Sequence, residues 1–138
     1  MELQMKFTSK VFVRWADLDA FGHVNNAVYL TYSELARVEW GGKQFAPKDP
    51  GSVLVEMTVA HSEVDYLIPI TKFGVDYDVN LWVENIGNTS FTVAYEVVRD
   101  GVVFAKMKTV QVMIDIKMMK PRPINEVERA FLNQYLIS

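Results

Sequence analysis

Residues 14–40 read RWADLDAFGHVNNAVYLTYSELARVEW, and within them the hydrophobic period changes. Ahead of the change, Val11, Val13 and Trp15 alternate with Lys10, Phe12 and Arg14. That period of two predicts a strand over about residues 7–15. From Asn26 to about Gln44 the spacing becomes helical: Val28, Tyr32, Leu35, Val38 or Glu39, and Phe45 trace one stripe. Glu34 and Arg37 sit on another face of that helix, spaced to pair. Gly41-Gly42 weakens the helix end, and Pro47 and Pro50 close it. Between strand and helix lies DLDAFGHVNN, Asp17 to Asn26, with two carboxylates, a glycine, one of the chain's 2 histidines and two asparagines. A helix cap needs one such residue, so the surplus polar chemistry requires an explanation.

The period of two returns downstream. Four β-like stretches run over about residues 53–66, 75–86, 88–99 and 102–117. In the second, Val75, Tyr77, Val79, Leu81 and Val83 share one face. Asp100-Gly101 is a strong type I′ hairpin signal, and Gly87-Asn88 is read the same way, which makes the last three strands an antiparallel meander. Pro123 opens a short final helix carrying Val127, Phe131 and Tyr135. The order predicts one α+β domain over residues 1–138, a strongly twisted antiparallel five-stranded sheet wrapped around one long helix. One helix covers only one face of such a sheet. The other face is then polar or covered by another subunit, and an oligomer is expected.

Composition removes several classes. The 138 residues are half apolar and 12% aromatic, enough for a packed core, with a formal net charge of −3 and no Lys/Arg run of the kind a nucleic-acid binder carries. Zero cysteines exclude disulfides, thiolate metal sites and cysteine nucleophiles. No apolar run reaches the roughly eighteen residues of a membrane span, and MELQMKFTSKVF lacks the apolar core of a signal peptide. The expectation is a soluble, cytoplasmic protein that binds neither membrane nor nucleic acid. No G-x-S-x-G, G-x-x-x-x-G-K-[ST] or G-x-G-x-x-G occurs. His61, Glu63 and Asp65 share a strand face, read as a polar stripe; no metal is expected.

Residues 17–26 admit two readings. In one, Asp and Asn cap the helix, Gly22 serves a tight turn and His23 bonds the backbone. In the other, the helix N-terminus supplies unpaired N–H groups and partial positive charge that hold a developing oxyanion, while a carboxylate beside it acts as nucleophile or as general base toward water. Acyl transfer needs those two parts.

Arg14 to Leu30, with its D-x-D-x-x-G-H-V-N-N pattern at Asp17–Asn26, resembles the opening motif of the 4-hydroxybenzoyl-CoA thioesterase-like hotdog family, in its acyl-CoA thioesterase branch. Glu34-Leu35-Ala36-Arg37 matches the E-x-A-R that follows there, and Asp65-Tyr66-Leu67-Ile68-Pro69 resembles the family's D-Y-L-x-P. Phe73-Gly74, Ile86–Phe91 and Val112–Asp115 fall where such proteins have them. The resemblance implies a hotdog fold, hydrolysis of acyl-CoA without a cofactor, and a homodimer or homotetramer with active sites at the subunit interface. It makes Asp19 the catalytic carboxylate and the Asn26 N–H the carbonyl-polarising donor. His23 then donates to substrate, water or the loop; Asp17 orients its neighbour; Asn25 and Asn26 position water or cap the helix. Gly22, Asn25 and Tyr29 are expected near substrate, with Tyr29, Tyr32, Trp40 and Trp82 either core or acyl-pocket lining. Some members carry basic residues where this chain has Ile68 and Asn88-Thr89, next to Ser90, where the nucleotide end of CoA docks. Lys117, Lys120 and Arg122 are the alternative source of charge, and a carrier-protein thioester is an alternative substrate. A non-catalytic acyl-CoA binder is the rival function; the retained Asp19 argues against it.

Overall fold

The computed structural model describes residues 5–45 and 56–137; the expected stops at Pro47 and Pro50 and the expected strand start at Val53 lie outside them. Strand β1 (Phe7–Val13) leads through a 3₁₀ turn (Trp15–Asp17) to helix α1 (Val28–Trp40), and β2 (Met57–Tyr66), β3 (Val75–Ile86), β4 (Ser90–Arg99) and β5 (Val102–Asp115) follow. A two-residue strand β6 (Lys120–Pro121) and helix α2 (Glu126–Gln134) end the chain. The sheet is antiparallel in the order β1-β3-β4-β5-β2, with β6 on β5. This is the expected α+β architecture.

Alternation sends one row of each central strand inward. Tyr77, Val79, Leu81 and Val83 of β3, Phe91, Val93, Tyr95 and Val97 of β4, and Ala105, Met107 and Met113 of β5 are buried in one cluster. Side chains of this size each contribute about 1.5–3 kcal/mol when buried. The opposite row is polar. Lys108 pairs with Glu84 at 3.1 Å and Lys6 with Glu96 at 4.0 Å. The Lys6 ammonium also lies 4.3 Å from the centre of the Trp82 ring. Trp82 therefore belongs to the outer face and lines no pocket beneath the helix.

Helix α1 buries a different stripe from the one its aliphatic residues suggest. Tyr29, Tyr32, Ser33, Ala36, Arg37 and Trp40 face the sheet. Leu35 and Val38 are 54% and 59% exposed. Aromatic burial decided the rotation: Trp40 packs against Phe131 at 5.2 Å and Tyr135 at 5.4 Å between ring centres. The expected Glu34–Arg37 pair does not form. Arg37 donates to the Tyr95 hydroxyl at 3.1 Å, which contacts Thr109 Oγ1 at 2.7 Å, and Gln111 donates to the same Thr109 oxygen at 2.8 Å. Past Gly41-Gly42 the chain takes one π-helical turn to Phe45, which is buried.

Two hairpin signals resolve differently. Asp100 and Gly101 have φ of 51° and 75°, as a type I′ turn requires. Neither Gly87 nor Asn88 has positive φ. Here glycine serves close approach instead: its N–H donates to the Ser90 carbonyl at 2.7 Å, and a Cβ would stand 3.2 Å from that oxygen. Helix α2 starts at Asn125, whose side chain accepts from the Glu128 N–H at 2.7 Å while Glu128 accepts from the Asn125 N–H at 3.0 Å. Phe131 and Tyr135 are buried as expected, whereas Val127 is 54% exposed.

Candidate active site

The polar segment 17–26 folds into a miniature hairpin closed by a Leu18–Val24 bridge. Its turn runs from Asp19 to Gly22, with the Gly22 N–H donating to the Asp19 carbonyl at 3.0 Å and the Asp19 N–H to the His23 carbonyl at 2.7 Å. Gly22 takes φ +72°, a conformation glycine adopts without a Cβ clash. Asp19 Oδ1 accepts from the Phe21 N–H at 2.9 Å and the His23 N–H at 3.3 Å. Oδ2 receives no hydrogen bond among the described residues. The half-buried carboxylate edges an open concavity of about 450 Å³ shared with Trp15, Ala16, Leu18, Ala20 and Gly22. One oxygen is thus fixed by backbone and the other is left for chemistry.

Asp17 does different work. It is 2% exposed and accepts from the Arg14 guanidinium at 2.8 and 3.1 Å, the Arg14 N–H at 3.0 Å and the Tyr32 hydroxyl at 2.7 Å. Burial pushes its pKa up, but the hydrogen bonds from Arg14 and Tyr32 outweigh burial and hold it below the usual carboxylate value. Burial and the Asp17 carboxylate together push the Tyr32 phenol well above its ordinary range. Asp17 therefore anchors the loop to α1 through Tyr32.

The start of α1 is stitched down amide by amide. The Val24 N–H donates to the Ile70 carbonyl at 2.9 Å, Asn25 to the Asp17 carbonyl at 2.8 Å, Ala27 to Asn25 Oδ1 at 2.9 Å and Val28 to the Asn25 carbonyl at 2.9 Å. Asn26 is exposed, and among the described residues its N–H has no acceptor. The helix N-cap position is Ala27, with no side-chain cap; Asn25 closes the turn ahead of it, and the free donor falls at Asn26. Tyr29 is 3% exposed and accepts from the Ile70 N–H; burial raises its pKa. It supports the helix start rather than lining an open pocket, a correction to its expected place beside substrate. His23 contributes main-chain groups to the turn, and its imidazole makes no hydrogen bond among the described residues. Tyr66, at the end of β2, donates to the Asn26 carbonyl at 2.9 Å and meets the Tyr29 ring edge-on at 5.1 Å. Sequence reading passed over Tyr66 except as a letter of D-Y-L-I-P.

Ser90 and Arg122 are not brought to this loop within one chain. Tyr66 pairs with Ala105 and Ser90 with Val112, which places Ser90 roughly 20 Å further along β5. The Arg122 N–H bonds the Met113 carbonyl at that same far end. The Arg122 guanidinium is committed to fully buried Glu128, two hydrogen bonds of 2.9 Å each, and donates to the Pro123 carbonyl as well. Three of its five N–H donors are engaged in this way, two by Glu128 on α2 and one by Pro123 just ahead of it. His61 and Glu63 contact at 2.9 Å on the exposed face, and among the described residues no group of three or more His, Cys, Asp or Glu is placed to hold a metal ion. Among the described residues no helix is long and apolar enough to cross a membrane.

A carboxylate with one tethered oxygen, in the same loop as a free amide two residues ahead of a 13-residue helix, offers the residue types that acyl transfer uses. The family comparison agrees. Residues 13–132 match the thioesterase-like superfamily, and the chain belongs to it. Its class is that of the hotdog-fold thioester hydrolases. A predicted thioesterase from Bacillus stearothermophilus is 30% identical, with 96% of this chain and 98% of that one aligned at a TM-score of 0.83. A thioesterase from Thermus thermophilus complexed with coenzyme A and Zn is 33% identical over 91% of each chain, TM-score 0.77. Slr0204, a 1,4-dihydroxy-2-naphthoyl-CoA thioesterase from Synechocystis, shares the fold at 21% identity, with 94% of this chain and 96% of that one aligned and a TM-score of 0.75. No curated protein matches the chain.

Proposed function

We propose that this protein hydrolyses acyl-CoA thioesters to the free acid and CoA, with Asp19 as nucleophile or general base and the Asn26 N–H as oxyanion donor. The observation that carries the reading is the unsatisfied Asn26 amide, alone among residues 24–28, in the same loop as the half-free Asp19 carboxylate. The Thermus relative's coenzyme A complex supports the leaving group. A thiol leaves as thiolate without strong acid assistance, so one polarising donor and one carboxylate suffice. A single oxyanion donor is worth about 3–4 kcal/mol in such chemistry. Gly22 and Asn25 shape the substrate's approach, and His23 stands where it can donate to substrate or water.

The active unit in this reading is a homodimer, alone or doubled to a tetramer. Strand β2 is a ten-residue sheet edge, largely exposed, and an edge of that length invites pairing. Antiparallel pairing of two β2 edges about a two-fold axis sets the Tyr66 end of one beside the Met57 end of the other. In this reading the second copy brings the far end of its sheet toward the Asp19 loop, and Ser90, Lys117 and Lys120 serve the CoA nucleotide across the interface. Arg37 supports a covered face. It is 8% exposed, has no carboxylate within ion-pair distance among the described residues, and borders a cleft of about 250 Å³ between α1 and β2. A guanidinium is costly to bury unless an anion pairs with it.

The test is thiol release from short, long and aromatic acyl-CoAs by wild type and Asp19→Asn. The expected result is hydrolysis by wild type, lost by about 10²–10⁴-fold in a folded variant. Full activity in Asp19→Asn moves the catalytic carboxylate elsewhere. Wild-type inactivity toward every CoA ester, with turnover of carrier-protein thioesters, replaces the substrate.

A further inference from the structure

Among the described residues, Tyr66 ties the β2 edge to the start of α1 by a side-chain hydrogen bond. Its hydroxyl donates to the Asn26 carbonyl at 2.9 Å across 40 residues of sequence. Its ring stands at 84° to Tyr29, centres 5.1 Å apart. The chain beyond Tyr66 is pinned as well, since the Leu67 and Ile68 N–H groups both donate to the Phe104 carbonyl at 3.0 Å. The hydroxyl is therefore delivered from the sheet, not from a loose loop.

What it holds is the carbonyl of the residue whose own N–H is free. The peptide group preceding Asn26, which carries the Asn26 N–H, is held by a single bond, the Val28 N–H on the Asn25 carbonyl. The peptide following it is fixed at its N–H by Asn25 Oδ1 and at its carbonyl by Tyr66. Remove the hydroxyl, and the second peptide keeps only one restraint. The direction of the Asn26 N–H depends on both neighbours, because rotation about either backbone bond of Asn26 turns the two peptides against each other. Tyr66 is 52% exposed, so the bond adds little to global stability. Its consequence is directional.

We propose that Tyr66 is a positioning residue for thioester hydrolysis, acting through the Asn26 peptide to aim its N–H at the thioester carbonyl. The proposal rests on the reading of Asn26 as oxyanion donor. A misdirected donor weakens the transition state more than the ground state, because only the transition state carries full charge on the oxygen.

Tyr66→Phe keeps the ring against Tyr29 and removes only the hydroxyl. The expected result is a kcat lowered about tenfold with KM for acyl-CoA held within about twofold. The melting temperature and oligomer mass stay at wild-type values, while amide exchange at residues 27 and 28, the bonded amides of this turn, quickens and elsewhere does not. An unchanged kcat overturns the proposal. So does a raised KM at constant kcat, which makes Tyr66 a binding contact, and so does a fall in melting temperature with exchange faster throughout, which makes it merely structural. Wild-type inactivity toward all acyl-CoAs overturns the functional reading and this proposal together; an active wild type with an unaltered variant overturns this proposal alone.

Discussion

Asp17 and Asp19 are separated by one residue and differ in every contact. Asp17 spends both oxygens on Arg14 and Tyr32, while Asp19 spends one on the amides of its own turn. The pKa of Asp17 is lower in the folded chain than the usual value near 4, so its contribution to stability is complete above about pH 4 and is lost as pH falls through the folded value. Replacing Asp17 with Ala leaves the Tyr32 hydroxyl buried without its acceptor. Urea unfolding near neutral pH should show a loss of about 1–3 kcal/mol, and the difference from wild type should shrink as the solution is acidified. A difference that persists unchanged in acid would remove the carboxylate from the explanation. The doubled acidic pattern D-x-D was visible in the sequence, but which member is anchored was decided by Tyr32, fifteen residues away and one helical face over.

At the scale of elements, α2 is held by a buried charge pair as much as by its apolar face. Glu128 is wholly buried and serves three partners: the Asn125 N–H and two nitrogens of Arg122. Removing the cation strands the carboxylate. Arg122→Met should therefore cost about 3 kcal/mol or more, read from urea unfolding, while KM for acyl-CoA stays near wild type. A stable variant with a sharply raised KM would return Arg122 to the CoA site. Strand boundaries were legible because alternation reports burial on one side: 75–86 was placed to the residue, and the other strands differ by a few residues at their ends. The face of α1 was legible only in part: of the stripe read from spacing, Tyr32 and Phe45 are buried, but Leu35 and Val38 are exposed, and Tyr29, Ala36 and Trp40 take the buried face instead. Hydroxyls on Tyr29 and Tyr32 found partners at Ile70 and Asp17, contacts that no local pattern records.

For the whole molecule, the side of α1 that failed to face inward becomes informative. Leu30 on the helix and Val59 on β2, 37% and 44% exposed, leave apolar area beside an open strand edge and a nearly buried Arg37 that has no carboxylate partner among the described residues. A second copy covering this region accounts for all three. Val59→Glu places a charge beside Glu34 in the cleft. Association should weaken by about a hundredfold, seen as halved mass in sedimentation, with hydrolysis falling in parallel. A monomeric wild type, or a fully active monomeric variant, would place the whole site within one chain. The outer sheet face, in contrast, is laced with exposed ion pairs that each contribute little, and it needs no partner.

The sequence by itself determined the architecture and singled out the candidate location of the chemistry. Alternation, one change of period and an Asp-Gly turn suffice to wrap a sheet around a helix, because burial acts on local periodicity. The polar run at 17–26 marks the proposed site because its residue types exceed what capping requires. Tertiary structure decided everything that depends on distant neighbours: which carboxylate is tethered, that Asn25 closes the turn and Asn26 is left free, that Arg122 belongs to Glu128, and that Tyr66 reaches the helix start from the sheet edge. Each of these is a hydrogen-bond assignment among several candidates of suitable type. Sequence supplies the candidates; only the folded geometry supplies the distances that choose among them.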